Sequence, residues 1–217
     1  MKKILYTIGI LALIIAISVN IVNATIVTVD SYNESNINGS TPVRATGSTE
    51  YGEVFQSTIS GKITSAKFFV RRQASPTGNV YAKLFASTGT YGSTAVPTGP
   101  ALGTSDPIDI TTISTSQGPV EFTFSGLNQF TMVSGVNYAI GINFNGGDGT
   151  NYLLAYYDDS SPTYAGNAWR DTVPDRTSST PFASIDFAFY VYGDNASGGS
   201  SAVVNTSGQK MMMGMAY

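Results

Sequence analysis

Tyr138, Ile140, Ile142 and Phe144 alternate with Ala139, Gly141 and Asn143. Successive side chains of an extended strand point to opposite faces, so this period of two puts one apolar face against a core. The same alternation recurs over residues 62–72, with Ala66, Phe68 and Val70 on one face and Lys67, Phe69 and Arg71 on the other. It returns where Val120, Phe122 and Phe124 alternate with Glu121 and Thr123. Turn chemistry separates these runs: Ser75-Pro76-Thr77-Gly78-Asn79 and Asn145-Gly146-Gly147-Asp148-Gly149. No sustained period of 3.6 appears after the first two dozen residues, so the chain has few ways to fold other than as an all-β protein.

Further strands are expected at residues 25–30, 80–86, 107–113, 152–157 and 185–192, with irregular loops at 87–105 and 158–182. Eight to ten short antiparallel strands make a single two-sheet sandwich of jelly-roll type, preceded by an N-terminal hydrophobic helix. The expected division is a leader at 1–24, an N-terminal strand and polar arm at 25–47, a β-sandwich domain at 48–193 and a flexible tail at 194–217. The tail ends in Lys210-Met211-Met212-Met213-Gly214-Met215-Ala216-Tyr217, too short to anchor in a membrane; it reads as a disordered end or a segment for a partner subunit.

Met1-Lys2-Lys3 followed by an apolar run and Val22-Asn23-Ala24 has the three regions of a signal peptide cut after Ala24. The apolar run also nearly reaches membrane-spanning length, so an uncleaved anchor is the competing reading. Both put the remaining chain outside the cytoplasm: extracellular, on a cell surface or on a virion.

The chain contains no His and no Cys. Disulfides are absent, as are Ser–His and Cys–His catalysis and the usual zinc ligands. With no convergent acid pair either, a non-enzymatic protein is expected. The net charge is −3, and no Lys or Arg lies between Lys83 and Arg170. Such a surface does not neutralise phosphates, which argues against nucleic acid as a partner.

Several segments match a known kind of module: Lys62-Ile63-Thr64-Ser65-Ala66-Lys67-Phe68, Ser75-Pro76-Thr77-Gly78-Asn79-Val80-Tyr81-Ala82-Lys83-Leu84, Phe122-Thr123-Phe124-Ser125-Gly126, Ser134-Gly135-Val136-Asn137-Tyr138 and Phe189-Tyr190-Val191-Tyr192-Gly193. Over about residues 50–193 the chain resembles the choice-of-anchor family of exported bacterial and archaeal surface domains, also found in virus-associated proteins. That resemblance implies a β-sandwich surface module without catalytic residues.

Four groups of residues are candidates for function. Thr25, Ile26, Val27, Thr28 and Val29 form a β-branched strand just after the expected cut. Such a strand can insert beside a neighbour's sheet, giving self-association into a surface filament, surface layer or virion. The other reading of it is an edge strand of this domain. Trp169, Tyr156, Tyr157, Tyr164 and Arg170 are candidates for a sugar-stacking platform, which makes an adhesive or carbohydrate-binding module the alternative function. Asp148, Asn151, Asp158 and Asp159 lie near loops that supply the several oxygens a structural calcium needs; no other cofactor is expected. The sequons at Asn33, Asn38, Asn195 and Asn205 are candidate glycosylation sites at the two ends of the domain.

Overall fold

A computed structural model describes residues 25–160, 162–172 and 178–195. The leader at 1–24, most of the C-terminal tail and Asn205 lie outside the described residues. The chain is all-β, with two antiparallel sheets and three single-turn 3-10 helices among the described residues.

The strands are β1 (Thr25–Tyr32), β2 (Gly39–Val43), β3 (Glu50–Gln56), β4 (Gly61–Gln73), β5 (Asn79–Thr88), β6 (Val96–Thr104), β7 (Ile108–Asp109), β8 (Gly118–Thr123), β9 (Thr131–Met132), β10 (Asn137–Asn143), β11 (Tyr152–Asp158), β12 (Asn167–Asp171), β13 (Thr180–Phe182), β14 (Asp186–Phe187) and β15 (Phe189–Asn195). The first sheet is organised around β4. Its flank at Ser65 to Val70 carries β8; the opposite flank carries β15 and then β11, end to end. β1 closes this sheet beyond β15, and β2 pairs with β11. The second sheet runs β13-β12-β3-β10-β5-β6.

The alternating faces predict the core. Ala66, Phe68 and Val70, then Phe122 and Phe124, then Tyr138, Ile140, Ile142 and Phe144 are all buried in one cluster between the sheets. Phe55, Leu84, Phe189 and Val191 complete it. A second, smaller cluster lies on the outer face of the second sheet: Val54, Phe85, Ala139 and Trp169, covered by Ala95, Tyr91 and Val96. Where Gly52 of β3 pairs with Gly141 of β10, only glycine fits. A Cβ on Gly52 would fall on the Ile140 carbonyl oxygen, and one on Gly141 would meet the Trp169 ring.

Several expectations need correction, among them the irregular loop expected at 158–182, which contains β12 and β13. Residues 25–47 are not a separate arm, because β1 and β2 are built into the first sheet. The loop expected at 87–105 contains β6. Its Pro97 and Pro100 are compatible with a strand because β6 lies at a sheet edge, where a missing N–H breaks no ladder. The strand expected at 107–113 reduces to β7, after which Asp109 caps a 3-10 turn (Ile110–Thr112) by accepting from Thr111 N at 2.9 Å.

Candidate functional site

β1 is an edge strand. It pairs antiparallel with β15 from Thr25↔Asn195 to Tyr32↔Phe189, with a register shift between Thr28 and Asp30. No other described strand pairs with its second edge. The bulge divides it into two halves of different character. Val29 and Tyr32 are buried, the Val29 carbonyl accepts from Thr58 Oγ1 at 2.6 Å, and Tyr32 OH donates to Asp158 Oδ2 at 2.7 Å. Thr25, Ile26 and Thr28 are exposed, Ile26 by 64%. The first half therefore presents an open backbone edge and an apolar side chain to solvent, which is a template for another strand.

The proposed sugar platform is not assembled. Trp169 is fully buried in the outer cluster, edge-on to Phe85 with centroids 6.0 Å apart. It is hidden because residues 89–95 fold over it, a long-range contact that local pattern does not announce. Tyr164 is largely buried: its ring packs on Phe189 at 5.3 Å and its hydroxyl donates to Asp30 Oδ2 at 2.7 Å. Tyr156 lies on the outer face of the first sheet, where its hydroxyl accepts from Arg71 Nε at 2.9 Å. Only Tyr157 and Arg170 meet, as two walls of a single cavity.

Alternation places other aromatic rings on the outer face of the first sheet. Phe189 and Val191 point inward, so Tyr190 and Tyr192 point outward, and their rings stack 6.2 Å apart at 5°. Lys67 Nζ stands over both rings, and Tyr190 OH donates to Glu34, which with burial pushes the Tyr190 phenol up to about 12. Beside Tyr192 runs a groove of about 550 Å³ lined by Ser65, Glu121, Thr123 and Gln129. The signal was present in Phe189-Tyr190-Val191-Tyr192, where the tyrosines take the polar phase of a strand.

The calcium candidates are likewise dispersed. Asp148 and Asn151 share a turn in which Asp148 Oδ1 accepts from Thr150 N (2.7 Å) and Asn151 N (2.8 Å), and Oδ2 from Asn151 Nδ2 (3.1 Å). Those N–H groups hold the Asp148 carboxyl below its usual range. Asp158 lies at the other end of β11, about 20 Å away at strand rise, where Tyr32 and Ser160 occupy its oxygens. Asp159 is exposed beside it, its N–H donating to Asn38 Oδ1 at 3.0 Å. Among the described residues no group of three acidic side chains, His or Cys is placed to hold a metal ion. The sequon residues Asn33, Asn38 and Asn195 are all exposed.

Sequence reasoning did not anticipate three acids gathered between the sheets, Glu53 and Asp186 buried and Asp30 half-buried. Glu53 is fully buried; its Oε1 accepts from Phe187 N at 2.6 Å, while Oε2 has no hydrogen-bond partner among the described residues. Burial, then the charges of Asp186 and Asp30, push its pKa well above 4.5. Burial raises Asp186 to about 6, and Asp30 also rises. No family model, curated protein or solved structure matches the chain.

Proposed function

We propose that this protein is a non-enzymatic subunit of an extracellular assembly, a surface filament, surface layer or virion, whose copies join along the open edge of β1. In this reading the two sheets form a jelly-roll sandwich, and residues 1–24 carry it across a membrane. The observation that supports it is the half-strand at residues 25–28, where Thr25, Ile26 and Thr28 are exposed and no other described strand pairs with the second edge. Monomeric proteins protect such edges with charge, proline or a covering loop, and here Thr25, Ile26, Val27 and Thr28 offer none of these. A second chain docking there gains main-chain hydrogen bonds and burial of Ile26.

The test is Ile26→Asp in the full chain, followed by sedimentation velocity. Deleting the whole strand would be uninformative, because Val29 and Tyr32 belong to the core. The expected result is an assembling parent and a monomeric variant with unchanged thermal stability. A monomeric parent, or a variant that assembles equally well, would contradict the proposal.

A carbohydrate-binding reading is favoured by one observation, the stacked and half-exposed Tyr190 and Tyr192 beside a polar groove. Flat apolar sugar faces stack on such rings. It predicts glycan-array binding that Tyr192→Ala abolishes, and it fails if the parent binds no glycan.

A further inference from the structure

The cavity that brings Tyr157 and Arg170 together has a volume of about 140 Å³. It opens between the two sheets, and its walls are Tyr51, Tyr157, Phe182, Phe187 and Ile185, with Thr41 and Arg170 as the polar lining. Three rings are fixed by mutual contact: Phe187 lies 5.7 Å from both Tyr51 and Tyr157. The guanidinium of Arg170 lies 5.3 Å from the centre of the Phe182 ring, and its Nε is buried with no hydrogen-bond partner among the described residues. A buried N–H of a charged group without an acceptor is a marked exception in folded proteins. Thr41 Oγ1 donates to Tyr51 OH at 3.1 Å, which leaves the Tyr51 hydroxyl proton to be donated elsewhere.

We propose that this cavity binds a small flat monocarboxylate, an anion of about the size of benzoate. Its volume is close to the ~150 Å³ of an apolar cavity that accepts benzene. The aromatic walls receive the ring. One carboxylate oxygen accepts from Arg170 Nε and the other from a second guanidinium N–H, the paired geometry for which arginine is suited. Tyr51 OH donates to the same carboxylate. Lysine would lack the planar fork, and a neutral amide would offer one uncharged acceptor oxygen where the guanidinium fork takes two charged ones. The site is independent of the β1 edge, so neither proposal depends on the other.

The test uses the full-length chain with sodium benzoate as the probe, benzamide as its neutral counterpart and sodium acetate as the carboxylate without a ring. The readout is the NMR resonance of the Arg170 Nε–H during titration. The expected result is saturable binding of benzoate that moves this resonance, with benzamide and acetate each weaker by about tenfold or more. Arg170→Met is expected to abolish binding and Arg170→Lys to weaken it. If Arg170→Met does not fold, the parent resonance and the benzamide comparison decide. No saturable shift with benzoate, equal binding of benzamide, equal binding of acetate, or undiminished binding by a folded Arg170→Met would each overturn the proposal.

Discussion

Replacing Glu53 with Gln should flatten the pH dependence of stability. Glu53 lies on the inward face of β3, fully buried, with Phe187 N donating to Oε1 at 2.6 Å. Burial holds its folded pKa well above 4.5, so over an interval above that value the folded protein keeps a proton that the unfolded chain has released. A carboxyl raised in this way contributes stability that is complete below its unfolded pKa and is lost as pH rises toward the folded one. Within the interval each pH unit removes about 1.4 kcal/mol. Asp186, raised by burial from 3.8 to about 6, adds a slope of the same sign worth about 1–3 kcal/mol after allowance for solvent screening. Gln retains the acceptor for Phe187 N and does not titrate. Urea unfolding should therefore show the parent losing stability more steeply than Glu53→Gln as pH rises above 4.5, by up to about 1.4 kcal/mol per pH unit, with Asp186→Asn removing a further part. Asp109 and Asp148 oppose this trend, since N–H donors lower their pKa, but both are surface groups. Parallel pH profiles for parent and Glu53→Gln would refute the reasoning.

Three substitutions test the packing. Trp169→Ala removes a fully buried ring from the outer cluster and should lower stability by about 3–5 kcal/mol in chemical denaturation while leaving any glycan binding unchanged. Gly52→Ala should prevent close pairing of β3 with β10 and lower the melting temperature sharply, because the Ile140 carbonyl occupies the required space. Asp109→Ala should be milder, about 1 kcal/mol, since it removes only the side-chain cap of a single 3-10 turn and leaves its buried Ile110 in place.

The core was legible because burial in a sheet follows period two. Ala66, Phe68 and Val70 face inward, while Lys67 and Arg71 face outward as expected. Legibility ended where a residue's environment depends on a distant segment. Trp169 reads as an exposed aromatic until residues 89–95 cover it, and β12 was hidden in a stretch too rich in turn residues to stand out. β3 was inconspicuous because Glu50 and Glu53 interrupt its apolar pattern; both are buried in the central part of the second sheet. The edge position of β1 was one of two readings of Thr25 to Val29; its pairing with β15 runs through both halves, and only the burial of Val29 and Tyr32 against distant segments distinguishes the buried half from the open one.

Because the chain lacks cysteine, single cysteines report contacts between copies without background. Thr25→Cys, Ile26→Cys and Thr28→Cys on the open half of β1 can be compared under mild oxidation with Thr150→Cys, an exposed turn position beyond the far end of β4. Joining along the β1 edge predicts disulfide-linked pairs from the β1 positions that approach within bonding distance, and none from Thr150→Cys. Absence of linkage throughout β1, or equal linkage at Thr150→Cys, would contradict assembly through this strand.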